Sequence, residues 1–497
     1  MDNDKQMRLE EEMQEKADRL YHKYQEQVSS IEGKGVFRYK EFSPYDAYAL
    51  GSMLEQYENY QRFVEYTYGS VSDLGQLPKV ALDVISIAYA GSILPLIAST
   101  QPIEEEKGIV YFKKVIANDS RGDITSGDTL WTARNQDGTS GNARPVHPTN
   151  YAGELIENEE LATTSAAQSD YAITRVDYPP IRRHTLTITI EDLGVIGHDD
   201  GGGTVEDCHG NLKVSAAGEG NIVGPGICGT VTYENGAMDL QLCDAPSSGG
   251  EPIYGTYATN FELSDDIPEI STILESTDVC AEVFALKHTF GRMMSFAVNK
   301  RFGLVMEDEA AKDLAAEIIS ETGNSMVVRL ANNAQGLNTW DRTAAEGVSY
   351  YEHQMTFKNT LADAEQTLYD NTGRGTISTM LASSGACAVM QTLPGWVKAP
   401  TNNMVGPQVY GTLDGVVVIR CPNLTVPAGA IGTVLALYKG ASVFEAPAVY
   451  APYMPLFITS TLPAGTNPLR QQRAAGLWAG IKVVENNFIT RVNIIES

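Results

Sequence analysis

Cysteine is scarce in this 497-residue chain: Cys208, Cys228, Cys243, Cys280, Cys387 and Cys421, with no pair at CxxC spacing. That excludes a zinc ribbon or a dithiol redox motif. In so long a chain it predicts reduced thiols, with a local disulfide among Cys208, Cys228 and Cys243 as the lesser alternative. Positive charge is also in deficit, with 36 Lys and Arg against 63 Asp and Glu and a net charge of -27. Such a chain does not bind nucleic acid by neutralising phosphates over its general surface, and no dense basic patch stands out. There is no G-x-x-x-x-G-K-[ST] loop, no H-E-x-x-H and no G-x-S-x-G, which removes three common routes to nucleotide, zinc-protease and serine-hydrolase chemistry. The N-terminus is charged rather than apolar, which predicts no signal peptide. Val80–Ala98 is fairly apolar, but Asp83, Pro95 and small polar residues make it a buried helix rather than a membrane span.

The remaining chemistry-bearing residues converge poorly. His198, Asp199, Asp200, Glu206, Asp207, Cys208 and His209 mix hard and soft ligands around Gly201-Gly202-Gly203, and they read as polar turn residues in a surface loop. Cys387 has His353 and His288 elsewhere in the chain as conceivable bases, but a free Cys on a short helix reads as a core residue. Asp199/Asp200 and Glu159/Glu160 are adjacent in sequence, and neighbours of that kind rarely converge on one substrate. No cofactor, metal or catalytic residue is assigned.

Hydrophobic residues make up 43% and charged residues 20%, which suits a folded chain with several folding units. Ala311, Leu314, Ala315, Ile318, Ile319, Thr322, Met326 and Leu330 recur at helical spacing and predict one long helix over Glu307–Ala334. Glu307, Asp308 and Glu309 favour its start, and Gly323 and Asn324 allow a bend within it. Met1–Ser30 carries a thin stripe of Leu9, Met13, Leu20, Tyr24 and Val28 among many charges. It is expected to be a peripheral arm with no core of its own, or a docking segment for a partner. Ser43-Pro44 with Asp46 starts a second helix. Ile109–Ile116 alternates as a strand and is expected to pair with Tyr171–Ile190 as a long hairpin with a polar tip. Asp200–Gly255 reads as a Gly-rich inserted β segment. Thr289 is expected to cap a helix reaching about Asn299, and Asp414-Gly415 to turn a hairpin. Ile481–Val484 and Phe488–Ile494 are expected to form a closing hairpin. Helices and strands mix without regular βαβ alternation, so the class is α+β.

Several stretches together resemble the major capsid proteins of tailed bacteriophages, specifically the T-even-like contractile-tailed group. VCAEVFALKHTFGRMMSFAVNKRFGL, running into EDEAAKDLAAEIISETGNSMVVRL, is similar to that family's strand, helix and spine-helix succession. TGRGTISTMLASSGACAVMQTLPGW followed by VYGTLDGVVVIRCPNL resembles its axial domain. VYAPYMPLFITSTLPAGTNPLRQQRAAGLWAGIKVVENNFITRVNII resembles its C-terminal return, and IAYAGSILPLIASTQPI with GIVYFKK the lead-in to its extended loop. The resemblance covers most of residues 80–497.

It implies the Hong Kong 97-like capsid fold. The N-terminal helical arm would span residues 1–79, the lead-in helix of the peripheral domain 80–107, the extended loop hairpin 108–190 and an inserted β subdomain 191–265. The peripheral domain with its spine helix would follow at 266–355, the axial domain at 356–455, and the return to the peripheral domain at 456–497. It further implies no enzymatic activity, assembly with itself as hexamers and pentamers, and a head enclosing double-stranded DNA without sequence-specific binding. Scaffolding and portal proteins are implied partners, with decoration proteins and a maturation protease as others; Leu9-Glu10-Glu11 resembles the protease's aliphatic-x-Glu signal. The expected location is the virion capsid, after assembly in the host bacterial cytoplasm and with no membrane. Alternatives are a β-rich virion-surface or secreted binding protein, or an enzyme with a Gly-rich lid. For subunit contacts, Glu154, Glu157, Glu159 and Glu160 on the projecting loop are expected to meet Arg182, Arg183, Lys287, Arg292, Lys300 and Arg301, chosen because the basic set flanks the spine region.

Overall fold

A computed structural model describes residues 14–68, 85–121, 124–127, 130, 151–166, 168–190, 194–206, 212–243, 250–264, 267–344, 346–372, 375–400, 405–440, 442–459, 461–465, 467 and 469–496. They divide into two compact units, one within Met1–Lys114 and Thr272–Ser497, the other within Val115–Leu130 and His147–Ser271.

The first unit is built around the helix Met306–Asn332, which is continuous through Gly323 and Asn324. Gly323 is buried facing Ile93 and Pro407, so packing overrides its weak helical propensity. Leu314, Ile318, Met326, Val327 and Leu330 are fully or nearly fully buried. Both ends are held by arginines. Arg473 donates to the Glu307 carbonyl at 2.7 Å, and Arg329 donates to the Ile481 carbonyl at 2.6 Å. Arg491 also donates to the Ala331 carbonyl, near the helix end where carbonyls lack helical partners. The helix packs on a sheet of Ser99–Thr100, Ala448–Ile458, Arg470–Val483 and Glu282–Gly291, with Leu462–Pro463 paired to the third.

A seven-stranded mixed sheet runs in the order Gly336–Asp341, Ile489–Ile495, Ala430–Leu437, Thr379–Ala382, Val416–Arg420, Gln408–Leu413, Trp396–Lys398. Its central strands are apolar on both faces because both faces are covered. Leu381, Val417, Ile419, Leu435 and Leu437 join the core around the spine helix. Met380, Ala382, Val418, Val434 and Ala436 face a second core with Phe357, Leu361 and Ala364 of the helix Tyr350–Thr372. The two-residue period of a strand is what sorts these neighbours to opposite sides. Asp414, at φ 49, and Gly415, at φ 91, turn the expected hairpin.

Three expectations in this unit are corrected. Residues from 14 onward are not a peripheral arm: Leu20, Tyr24, Val28 and Ile31 are buried in the main core with Leu50 and Leu54. The stripe is thin, but the helix Pro44–Tyr68 supplies the surface that covers it, and Gly51 lets Leu20 approach closely. Leu9 to Glu11 lie outside the described residues. Thr289 is in the strand Glu282–Gly291; the next helix starts at Arg292 with Gly291 as its N-cap residue. Ile481–Val484 and Phe488–Ile494 do not pair. Arg470–Val483 and Ile489–Ile495 belong to different sheets, and a 3₁₀ turn at Asn486–Phe488 carries the chain between them. Ser43 does cap its helix, accepting from the Asp46 amide at 3.2 Å while Asp46 accepts from the Ser43 amide at 3.0 Å.

The chain leaves the first unit along Lys107–Ala117 and returns along Ile270–Cys280, and these two strands pair as a ribbon. The expected pairing of Ile109–Ile116 with Tyr171–Ile190 is therefore corrected. Alternation identifies a strand but carries no information about its partner. The second unit is an antiparallel sheet of eight strands, ordered Leu155–Thr163, Pro252–Ala258, Thr187–Ile190, Gly194–Gly201, Glu219–Val223, Ile227–Thr232, Met238–Leu242, Asp170–Ile173. Segments drawn from 151–190 and from 194–258 thus interleave around one core that includes Ile188, Ile222, Val231, Ile253 and Tyr257. Arg121 is buried there against the rings of Phe261 and Tyr178. Cys243 is disulfide-bonded, against the expectation of reduced thiols; Cys228, Cys280, Cys387 and Cys421 are free. Of the three cysteines weighed for a local disulfide, Cys243 is bonded, Cys228 is free and Cys208 lies outside the described residues.

Leu20→Ala tests the N-terminal packing. It should cost about 2–5 kcal/mol in the unfolding of an assembly-blocked subunit, as for other buried Leu truncations. A cost near zero would restore the peripheral arm.

Candidate assembly surfaces

The helix Arg292–Phe302 follows the edge strand Glu282–Gly291 and has 11 residues, none of them buried. Met293, Met294, Phe296 and Phe302 are 77%, 59%, 70% and 66% exposed. The helix forms because its flanks are well set: Gly291 is extended at its start, and Gly303, at φ 70, closes its end by donating to the Asn299 carbonyl. Lys300 and Arg301 in its last turn suit the negative end of the helix dipole. Apolar area of this density on an exposed helix marks an interaction surface. Among the described residues the preceding strand pairs only with Arg470–Val483 and ends its sheet. Val283, Ala285, Lys287 and Thr289 alternate outward along it while Phe284, Leu286, His288 and Phe290 are more buried.

The ten charged candidates separate into two groups. Lys287, Arg292, Lys300 and Arg301 form the exposed basic border of this strand and helix. Glu154, Glu157, Glu159, Glu160, Arg182 and Arg183 all lie in the second unit. Glu154 and Arg182 pair with each other at 2.8 Å. Arg183 lies over the Tyr233 ring at 5.3 Å. Glu159 accepts from the Tyr257 hydroxyl and from the Asp177 amide at 2.7 Å, and burial raises its pKa. It is thus bonded within its own unit. Glu157 and Glu160 are carried on Leu155–Thr163, which ends the eight-stranded sheet. Other charges expected at the polar tip of the long hairpin, Asp123, Asp128, Asp137, Arg134 and Arg144, lie outside the described residues. The helix itself is expected from the sequence, but its exposure is not, because its apolar spacing resembles that of any core-facing helix.

Of the residues weighed for catalysis, Asp207, Cys208 and His209 lie outside the described residues. Asp199 is buried, accepting from the His184 amide, the Gly201 amide and the Tyr233 hydroxyl at 2.6, 2.8 and 2.8 Å. His198 and Asp200 flank it on the exposed face of a strand, not in a loop. Among the described residues no group of three or more His, Cys, Asp or Glu is arranged to hold a metal ion. Cys387 is buried, and burial pushes its thiol up to about 12. His353 stacks on Trp340 and contacts the Asp341 carbonyl at 2.7 Å. No described helix is long and apolar enough to cross a membrane.

The family described as Major capsid protein Gp23 matches residues 75–491. The chain belongs to this family. Its fold is of the α+β class, and its role in the virion is capsid-forming. Capsid proteins of this kind assemble into multimeric shells. No curated protein matches the chain. Among solved structures, the capsid of Myoviridae phage XM1 aligns at 8% identity over 47% of this chain and 79% of that one, with a TM-score of 0.30. The capsid of Ralstonia phage GP4 aligns at 14% identity over 46% and 77%, with a TM-score of 0.32. The mature capsid of bacteriophage PhiM1 aligns at 10% identity over 45% and 74%, with a TM-score of 0.30. Superpositions at this level decide nothing, and the family assignment rests on the sequence match.

In this Gp23-family subunit one cation stands apart. The Lys439 ammonium donates to the carbonyls of Pro95 and Ala98 at 2.6 and 2.5 Å. Burial first, and Lys40 second, push it down to about 7 from the ordinary 10.5. Between those values the unfolded chain holds a proton that the folded chain releases, so this group's contribution to stability rises with pH across about 7 to 10.5 and is lost as pH falls toward 7. The stability difference between wild type and Lys439→Met, measured by denaturant unfolding of an assembly-blocked subunit, should shift in favour of wild type as pH rises from 7 to 9. A difference that does not change with pH would place the lysine in water.

Proposed function

We propose that this chain forms hexameric and pentameric capsomers that close into an icosahedral or elongated head around double-stranded DNA. The single observation that carries the reading beyond family membership is the helix Arg292–Phe302, which has no buried residue and exposes four large apolar side chains. A monomer gains nothing from such a helix, whereas a shell buries it at every subunit contact. The acidic balance of the chain suits a wall that confines DNA without adhering to it. The subunit acts structurally rather than as an enzyme; its partners are its own copies together with scaffolding and portal proteins, with decoration proteins and a maturation protease as further ones. Assembly takes place in the host bacterial cytoplasm. The second unit corresponds to the family's extended loop, with the β insertion interleaved in the same sheet.

Of the interface candidates, Lys287, Arg292, Lys300 and Arg301 border one contact surface, and Glu157 and Glu160 another. Glu154, Arg182, Arg183 and Glu159 support the fold of the second unit. Exposed charge pairs are individually worth about 0–1 kcal/mol and are screened by salt, but a shell repeats each one at every equivalent contact. Negative-stain microscopy of the protein expressed with its scaffold should show shells, tubes or capsomers. Yield should fall at high salt, and Glu157→Lys with Glu160→Lys should lower it at low salt. Small oligomers alone under all conditions would favour a β-rich surface-binding protein instead.

A further inference from the structure

The exposed helix has a complementary partner elsewhere in the first unit. A cleft of about 740 Å³ opens between the helix Pro44–Tyr68 and the strands Ala448–Ile458 and Arg470–Val483. Its apolar wall is aromatic: Tyr453 and Trp478 stack with ring centroids 5.6 Å apart, and Tyr48, Tyr60 and Met454 flank them. These five side chains are half-buried, with Lys16 over the Tyr48 ring at 5.6 Å. The rim is acidic. Glu55 and Glu104 line the cleft, and the exposed Glu105 and Glu106 continue the run. Lys16 is the cation of the lining, 3.9 Å from Glu104.

The helix Arg292–Phe302 is the opposite in charge and matched in chemistry. It carries Arg292, Lys300 and Arg301 and no carboxylate. Met293, Phe296 and Lys300 fall at i, i+3 and i+7, the anchor spacing of a helix laid in a groove. Methionine sulfur and a phenylalanine ring both pack favourably on aromatic walls, and the basic last turn would meet the Glu104–Glu106 rim.

We propose that the helix Arg292–Phe302 of one subunit docks in the Tyr48–Tyr453–Trp478 cleft of a second copy of this chain. The proposal rests on the capsid reading above and adds the identity of the two surfaces that meet. A photo-crosslinking residue, benzoylphenylalanine, placed at Phe296 in the full-length protein assembled with its scaffold, tests it. Intact particles are irradiated, denatured and mapped by mass spectrometry. The expected product is a two-subunit species joined from position 296 to residues 48–60 or 453–478. A crosslink to any other region of a second copy, or none from intact particles, overturns the docking and leaves the capsid reading standing. Absence of any multimer from the unsubstituted protein overturns both. If the probe itself blocks assembly, charge exchange decides: Arg292→Glu, Lys300→Glu and Arg301→Glu together should abolish particles while the subunit's far-ultraviolet circular dichroism is retained. Adding Glu104→Lys, Glu105→Lys and Glu106→Lys to the same chain should restore them. Failure of that restoration with both variants folded refutes the pairing.

Discussion

Everything in the first unit depends on burying one helix from more than one side. Met306–Asn332 buries Leu314, Ile318, Met326 and Leu330 in a core shared with both sheets. Burying such side chains stabilises by roughly 1.5–3 kcal/mol each, and few other elements of the unit contribute as many. The arginines at its ends keep the helix in register with the strands: Arg473 at the first turn, Arg329 and Arg491 at the last. The Arg491 donor satisfies a carbonyl of the last turn, where helical partners run out. The long strand Arg470–Val483 is held by this helix on one face and by its neighbours Ala448–Ile458 and Glu282–Gly291 at its edges.

That arrangement explains where apolar surface is left over. The strand Glu282–Gly291 is the last of its sheet, and the chain must travel from it to the start of the spine helix. Among the described residues, Arg292–Phe302 covers that distance without a sheet or helix on its outer side, so its methionines and phenylalanines stay exposed. In an isolated protein this would be an aggregation hazard. In a repeating shell the same exposure becomes a contact that every copy both offers and receives.

The second unit obeys a different constraint. Its sheet is half-buried, with alternating inward and outward residues such as Met238–Leu242 and Asp170–Ile173. Its buried polar groups are tied locally: Asp199 to three donors, and Glu159 to Tyr257 and Asp177. These bonds are why carboxylates that look alike in sequence differ in availability. Glu159 and Glu160 are adjacent, yet in a strand adjacent side chains point to opposite faces.

The sequence by itself determined the elements whose periodicity is set locally. The spine helix, the strands Lys107–Ala117 and Val416–Arg420, the Ser43 cap and the Asp414-Gly415 turn follow from residue spacing and local backbone preference. The ordered succession of stretches also sufficed for the family, because many weak matches in one order are specific together. Tertiary structure alone decided which strands pair, since strand alternation is the same for every partner. It placed Arg470–Val483 and Ile489–Ile495 in separate sheets and paired Lys107–Ala117 with Ile270–Cys280 across more than 150 residues of sequence. It also decided burial. The stripe of Leu20, Tyr24 and Val28 is core because Pro44–Tyr68 covers it, and the equally apolar Met293, Met294 and Phe296 are surface because no described element does. Burial is a property of what lies opposite a residue, and the chain's local pattern does not encode that.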